Sequence, residues 1–247
     1  RSGSDQTVAL NSDVLVNIDL NQVFHLHNTT EQKVTVVYKK LPKELISDVN
    51  SVLEIDDSDK VLGHELFQGG DKEVYNMSTD IFVVDTPFLI EKLEEEAAKE
   101  EPRKLRYVLR DLAVAENGFA YEYTGYLSNI HSVKAYFDAN LDMLESEKFY
   151  KLFAPNQKVY TKVKNEEPTY YSDSSEVKLS QFASGSIVRG KVENSVISRN
   201  VDLSEGSSVS HSILFPRVKV AKGATVEYAI VDKGVEIAEG VTIRGTE

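Results

Sequence analysis

A repeat with a period of 17 residues constrains the fold of the last part of the chain. The segments NSVI, HSIL and YAIV begin at Asn194, His211 and Tyr228, each one period after the previous one. Across these copies an aliphatic residue recurs at every fifth or sixth position from Val192 to Ile243. An α-helix has about 3.6 residues per turn, so this spacing does not keep apolar side chains on one helical face. It predicts a left-handed parallel β-helix of triangular section, in which each short strand contributes one inward side chain.

The same period places special residues at the corners of this β-helix. Gly206, Gly223 and Gly240 recur where a corner turn favours positive φ. His211 is the one histidine in the repeat, and in hexapeptide acyltransferases a histidine between coils acts as a base. No acyl-carrier signature accompanies it, so a corner or surface position is the preferred interpretation. We expect the β-helix to serve as a scaffold for oligomer contacts and effector sites.

Strand and helix patterns alternate before the repeat. Pro87 is suited to the first turn of a helix that directly follows the strand pattern IFVV. The acidic run DDSD at 56–59 predicts a turn between two strands. Alternation of this kind predicts an α/β layer with substantial parallel pairing. The other predicted strands cover 7–10, 14–20, 33–41, 51–66 and 119–126, and the other predicted helices cover 21–30, 104–114 and 133–147.

The pattern divides the chain into three parts. Residues 1–147 are predicted to form the α/β domain, and residues 185–247 the β-helix. Residues 148–184 contain prolines and many polar residues without a sustained period, which is typical of a linker. The chain opens without a methionine and ends inside a repeat, so we expect it to be a fragment of a longer protein, truncated at both ends.

Composition excludes several classes of function. A net charge of −12 over 247 residues repels phosphate backbones and anionic lipid, so nucleic acid and membranes are poor partners. The chain has no cysteine, which excludes disulfides, thiolate catalysis and zinc–cysteine sites. No apolar run approaches the roughly 18 residues of a membrane span, and no signal peptide is visible. We expect a cytoplasmic location.

The order of an α/β domain, a linker and a hexapeptide β-helix resembles bacterial glucose-1-phosphate adenylyltransferase (ADP-glucose pyrophosphorylase). The segments that carry the resemblance are SDVLVNIDL, MSTDIFVV, GYLSNIHSVKAYFDANLDML, NSVISRNVDLSEGSSV and YAIVDKGVEIAEGVTI, which span nearly the whole chain. The resemblance implies the C-terminal part of a Rossmann-like nucleotidyltransferase domain, without its N-terminal glycine-rich nucleotide loop. In this family glucose 1-phosphate attacks the α-phosphate of ATP, and ADP-glucose and pyrophosphate form with the help of Mg²⁺.

The resemblance also assigns two positions to the metal. Asp13 matches the first metal-binding acid of the family. In the loop GYLSNIHSV, Asn129 stands where the family has the second, an aspartate, and His131 stands where it has a glycine. Mg²⁺ prefers carboxylate oxygens, and an amide contributes no negative charge. This substitution implies that the chain binds Mg²⁺ poorly.

Three further positions match the sugar-phosphate site of the family. In GHELFQGG, Glu65 matches the glutamate of a Glu-Lys pair, but Leu66 replaces the lysine. Ser78 matches a serine near the sugar. Leucine cannot neutralise a phosphate, so the phosphate-binding charge is also missing.

The two neutral residues favour the non-catalytic, regulatory glycogen-biosynthesis subunit of the family. Such a subunit forms a hetero-oligomer with a catalytic subunit, and its ligands are ATP, glucose 1-phosphate or allosteric metabolites. Two alternatives remain open. One is an active nucleotidyltransferase that uses Asp13 with Asp19 or Asp80, although solvated or capping carboxylates are the preferred interpretation of the latter two. The other is a sensing or assembly module that binds a ligand without reacting.

Overall fold

The computed structural model describes residues 3–153, 158–162 and 164–246. The chain divides into two compact units, Arg1–His131 (unit 1) and Ser132–Glu247 (unit 2). Parts of the predicted linker, residues 154–157 and 163, lie outside the described residues, as do residues 1, 2 and 247. The finer division into 1–147, 148–184 and 185–247 stays a prediction.

Unit 1 is built on a central sheet of six strands. They are β1 (Gln6–Ala9), β3 (Val34–Pro42), β4 (Ser51–Ile55), β5 (Val61–Leu66), β6 (Val74–Asp85) and β7 (Phe119–Glu122). Their order is β5-β4-β6-β3-β7, with β1 paired to β6. A separate pair joins β2 (Val14–Val16) to β8 (Leu127–Asn129). The helices are α1 (Leu20–Thr29), α2 (Thr86–Ala97) and α3 (Leu105–Ala115), with a 3₁₀ turn at Lys43–Leu45.

This Rossmann-like sheet confirms the predicted α/β architecture, but the predicted parallel pairing is wrong for most of the described pairs. Among the described strands of unit 1, β3 and β7 pair in parallel, whereas β6 is antiparallel to β1, β3 and β4. Connection length explains one further antiparallel pair, β4 with β5, because consecutive strands joined by a short turn must run antiparallel. The turn at 56–59 is such a connection: the Asp56 carboxylate accepts hydrogen bonds from Ser58 N and Lys60 N at 2.8 Å.

Both faces of the sheet are covered by helices. The alternation in β3 places Val34, Val36 and Tyr38 in one apolar cluster with residues of α2 and α3. Val37, on the opposite face of β3, packs with Val23 of α1. Each such buried side chain stabilises the fold by about 1.5–3 kcal/mol relative to its exposed state.

Unit 2 begins with two short helices where the sequence predicts one helix over 133–147. They are α4 (Val133–Leu141) and α5 (Ser146–Leu152), with a 3₁₀ turn, Asp142–Leu144, between them. The helix is interrupted because Glu145 has an extended backbone, with φ −86° and ψ 116°. Over the described residues, no helix is both long and apolar enough to cross a bilayer.

The rest of unit 2 is the predicted β-helix. Its three parallel sheets run β10-β13-β16-β19-β22, β11-β14-β17-β20 and β21-β18-β15-β12-β9. The aliphatic residues predicted to point inward, from Val192 to Ile237, are at most 6% exposed and form one core. The strands are Tyr170–Tyr171, Glu176–Lys178, Gln181–Phe182, Ile187–Val188, Lys191–Glu193, Val196–Ile197, Asp202–Leu203, Ser208–Ser210, Ile213–Leu214, Lys219–Val220, Thr225–Glu227, Ile230–Val231, Glu236–Ile237 and Thr242–Arg244, numbered β9 to β22 in chain order.

The β-helix starts earlier than the repeat in the sequence indicates. Tyr170 already pairs with Ile187, within the stretch predicted as a linker. Glu176 pairs with Lys191, a step of 15 residues, whereas Lys191 pairs with Ser208, a step of 17. This change of period conceals the first coil in the sequence.

The corners confirm the predicted backbone conformation. Gly206, Gly223 and Gly240 have φ of +75°, +69° and +70°. A second corner uses larger residues in the left-handed region, among them His211 (φ 44°) and Tyr228 (φ 49°). Their rings stack with centroids 4.7 Å apart, which confirms a corner position for His211.

A ladder of serines ties successive coils together. Ser195 Oγ accepts a hydrogen bond from Ser212 N at 3.1 Å, and Ser212 Oγ accepts one from Ala229 N at 3.2 Å. Each hydroxyl also donates to the carbonyl two residues earlier in its own coil, at 2.7 Å. Because both serines are fully buried, water cannot replace these bonds.

We predict that Ser212→Ala lowers the free energy of unfolding by about 1–3 kcal/mol, since Ala229 N–H loses its acceptor in the interior. Urea unfolding followed by circular dichroism measures the change. Ser208→Ala, on the outward side of the same coil, is the matched control, with an expected change within about 0.5 kcal/mol. Equal effects of the two substitutions would contradict a role for the ladder.

Candidate functional site

The β2–β8 pair brings together the two positions that the resemblance assigns to a metal. Val14, the first residue of β2, pairs with Asn129, the last residue of β8. Ile130 N donates to the backbone carbonyl of Asp13 at 2.7 Å. Asp13 and Asn129 therefore lie on neighbouring chain segments, as the resemblance implies.

The side chain of Asn129 is held by the loop before β4. Asn129 is 7% exposed, and its Nδ2 donates to Asn50 Oδ1 at 2.7 Å and to the Leu45 carbonyl at 3.1 Å. Asn50 Nδ2 donates back to Asn129 Oδ1 at 3.4 Å. Asn50 Oδ1 also accepts from Ser47 N at 2.9 Å. This arrangement requires a donor at position 129, which an ionised carboxylate lacks.

Asp13 lies beside an arginine of α3. Its Oδ2 is 3.5 Å from Arg106 Nη2. Its Oδ1 is buried and has no hydrogen-bond partner among the described residues. Asp13 therefore retains one free acceptor oxygen, while its charge is compensated by a guanidinium.

Asp80 forms the most deeply buried ion pair of the site. Arg110 donates from Nε and Nη2 to the two Asp80 oxygens at 2.8 and 2.6 Å, and both residues are buried. The expectation of a solvated or capping carboxylate is thus wrong for Asp80. It is confirmed for Asp19, which caps α1 by accepting from Asn21 N at 3.0 Å.

The burial of Asp80 follows from an irregularity in the sheet. Val37 pairs with Ile81 but Tyr38 pairs with Ser78, so Thr79 and Asp80 bulge out of β6. Asp80 has φ 53° there. The sequence contains an indication of this ion pair. Arg110 lies on the apolar face of α3, and a buried arginine requires an acidic partner. Removal of one partner of such a pair costs about 3–5 kcal/mol.

Of the three sugar-phosphate positions, Ser78 contacts this cluster directly. Ser78 is buried and exchanges hydrogen bonds with Asp80, at 3.2 Å from Asp80 N and 3.5 Å to Oδ1. Glu65 and Leu66 instead lie on the edge strand β5. Glu65 lines an open groove of about 520 Å³ together with His64 and Lys72. Leu66 is 45% exposed.

The groups with perturbed pKa lie outside this cluster. Hydrogen bonds from Arg103 and Lys99 hold the pKa of Glu96 well below its ordinary value. Burial, with the neighbouring Glu122 carboxylate, raises the pKa of Tyr38 to about 12. Arg103 also pairs with Asp111 of α3. We interpret these groups as ion pairs and buried hydroxyls that support the fold, since none contacts Asp13 or Asn129.

The residues present do not fit a magnesium ion. Mg²⁺ needs oxygen ligands whose negative charge is not already compensated. Asp80 is paired with Arg110, Asp13 lies beside Arg106, and Asn129 is neutral and bound to Asn50. Within residues 3–153, 158–162 and 164–246, no group of three or more His, Asp or Glu side chains is arranged to hold a metal.

Comparison with known proteins agrees with this architecture. A family model described as GlmU-like, C-terminal hexapeptide matches residues 165–246. The glycogen biosynthesis protein GlgD of Bacillus subtilis (strain 168) is 38% identical over 89 residues, which are 36% of this chain and 26% of that protein. Glucose-1-phosphate adenylyltransferase of Thermosipho africanus (strain TCF52B) is 25% identical over 215 residues, 83% of this chain and 50% of the enzyme. That of Geobacillus stearothermophilus is 27% identical over 211 residues, 83% and 53%.

The chain is similar to glucose-1-phosphate adenylyltransferases and to GlgD proteins. Similarity to the family covers unit 1 as well as the β-helix, since the alignments with the two adenylyltransferases each include 83% of the chain. The chain spans about half the length of these two enzymes. The hexapeptide match begins at residue 165, close to the first strand of the β-helix at Tyr170.

We predict that Asn129→Asp destabilises the fold by about 1–3 kcal/mol at pH 7, because the new carboxylate faces the oxygens of Leu45 and Asn50. These acceptors favour the protonated acid in the folded state, so its pKa should exceed the ordinary value of about 3.9. The loss relative to wild type should therefore grow as pH rises from about 4 to 7.

Urea unfolding of both proteins at each pH measures this loss. Asn28→Asp is the matched control. Asn28 is exposed, and its side-chain oxygen, which aspartate retains, accepts a hydrogen bond from Gln6 Nε2. A pH-independent difference between Asn129→Asp and wild type would contradict the proposed donor role of Asn129.

Proposed function

We propose that the protein containing this chain is a non-catalytic, regulatory subunit in glycogen biosynthesis, which pairs with a catalytic ADP-glucose pyrophosphorylase subunit. The observation that carries this proposal is the amide of Asn129, bound to Asn50 and Leu45 at the position of the second metal acid. Nucleotidyl transfer builds negative charge on the phosphates, and a divalent cation with basic side chains must stabilise it. A domain that lacks this stabilisation retains the fold of the enzyme with little of its activity.

Other features support the same proposal. Leu66 presents an exposed apolar side chain where the family has a lysine, so the sugar phosphate lacks a countercharge. The β-helix has a continuous buried core, as a scaffold for subunit assembly requires. Similarity to GlgD over 89 residues agrees with a subunit of this type.

The ligands of this subunit are proposed from the family. ATP, glucose 1-phosphate or allosteric metabolites would bind unit 1 without reacting, and binding would change the activity of the catalytic partner. Mg²⁺ would be held poorly, because it finds one uncommitted oxygen, that of Asp13.

An active enzyme with displaced metal ligands is less well supported. Asp19 is committed to the N-terminus of α1, and Asp80 is committed to Arg110. Either carboxylate could bind a metal only by giving up its contact with the N-terminus of α1 or with Arg110. We therefore keep the regulatory subunit as the proposed function.

We predict that the full-length protein alone makes ADP-glucose at least about 100-fold more slowly than its catalytic partner, because charge stabilisation is a large term in transfer chemistry. Mixed with that partner, it should raise the rate above that of the partner alone. Pyrophosphate release, measured at fixed catalytic subunit, tests both expectations. Strong turnover by the protein alone would refute the regulatory role.

The same assay separates the sensing alternative. The heat-denatured protein is the control for non-specific protein effects. Calorimetry with ATP, glucose 1-phosphate and ADP-glucose then measures binding. Ligand binding without any effect on the partner's rate would favour a sensing module over a regulatory subunit.

A further inference from the structure

Two carboxylates and two guanidinium groups meet where the family binds its metal. Arg106 lies between the carboxylates, with Nη2 3.5 Å from Asp13 and Nε 3.9 Å from Asp80. Arg110 satisfies Asp80 with two short bonds. The formal charges of these four side chains sum to zero.

This balance changes what the locus can bind. A divalent ion at Asp13 would lie beside the positive charge of Arg106, and like charges within a few ångströms repel strongly in a partly buried site. The charge of arginine is permanent, because the guanidinium group stays protonated in proteins. We propose that Arg106 is a built-in counterion that takes the place of a bound divalent cation beside Asp13.

The fold positions Arg106 for this role. Arg106 and Arg110 are four residues apart on α3, so both project from the same face of the helix. Arg110 is fully buried, whereas the side chains of Arg106 and Asp13 are 32% and 31% exposed. The locus is therefore partly open to solvent, although Asp13 Oδ1 itself is buried, and the charge of Arg106 opposes any cation that approaches it.

One ligand of a metal site is nevertheless preserved. Asp13 Oδ1 has no partner among the described residues, and Asn129 lies on the paired strand. Removal of the Arg106 charge should free this oxygen for a divalent ion, and a carboxylate at position 129, repelled by the oxygens of Leu45 and Asn50, would supply a second anionic ligand.

The test uses the full-length protein and Mn²⁺ alone as the probe, with bound Mn²⁺ measured by electron paramagnetic resonance. Wild type and Asp13→Asn should bind the same amount of Mn²⁺. The double variant Arg106→Gln/Asn129→Asp should bind one additional ion, at least about tenfold more tightly than wild type, and should gain about 2–4 °C in Tm with saturating Mn²⁺. Adding Asp13→Asn to the double variant should abolish both effects.

Controls separate charge from loss of a side chain. Arg106→Lys/Asn129→Asp keeps the positive charge and should bind no additional ion. Lys40→Gln/Asn129→Asp removes a cation that pairs with Glu122 elsewhere in unit 1, and it too should bind no additional ion. A folded Arg106→Gln/Asn129→Asp protein that binds no more Mn²⁺ than wild type would overturn the proposal.

Mn²⁺ binding by the wild-type protein tests the proposal even if the double variant does not fold. Mn²⁺ binding by wild type that is lost in Asp13→Asn would overturn the proposal, and equal binding by the two proteins would support it. The measurement involves neither turnover nor a partner subunit. The Mn²⁺ result can therefore refute the counterion role of Arg106 without refuting the regulatory role. Equally, the turnover assay can refute the regulatory role without refuting the counterion role.

Discussion

Compensation of the charges of Asp13 and Asp80 is the constraint on which the candidate site depends. Two carboxylates close together in a partly buried site do not both stay ionised unless positive charge is supplied. In this chain α3 supplies it through Arg106 and Arg110. The bulge that removes Asp80 from the strand pairing is stable because Arg110 meets it with two hydrogen bonds. The same contacts attach α3 to the sheet and give the site its neutral character.

The amide of Asn129 has an equally structural role. It joins β8 to the loop that contains Leu45 and Asn50, so the position that the resemblance assigns to metal binding holds a loop in place in this chain. A buried amide at this position is stable only if neighbouring groups match its hydrogen-bond donors and acceptor. Asn50 provides that match, since its side chain both accepts from and donates to the amide of Asn129.

Much of the fold could be predicted from local sequence. The spacing of apolar residues identified the β-helix, and the alternation in β3 identified its two faces, because both patterns reflect which side chains leave water. Which strands pair, and in which direction, was harder to predict from the sequence. The bulge at Asp80 and the antiparallel pairing of β6 depend on contacts between distant segments, and the first coil was concealed by a step of 15 residues instead of 17. The helix predicted over 133–147 was interrupted at Glu145, which no periodicity signalled.

The sequence by itself determined the β-helix, the order of elements and the neutral residues at positions 66 and 129. Only the tertiary structure decided how the remaining charges are used. Asn129 and Asn50 are 79 positions apart in the chain, and Arg106 and Asp13 are 93 apart. Periodicity reports whether a side chain is buried, but it does not name the partner that satisfies a buried polar group. That choice is made when distant strands and helices pack, because each buried charge or amide must then find its complement.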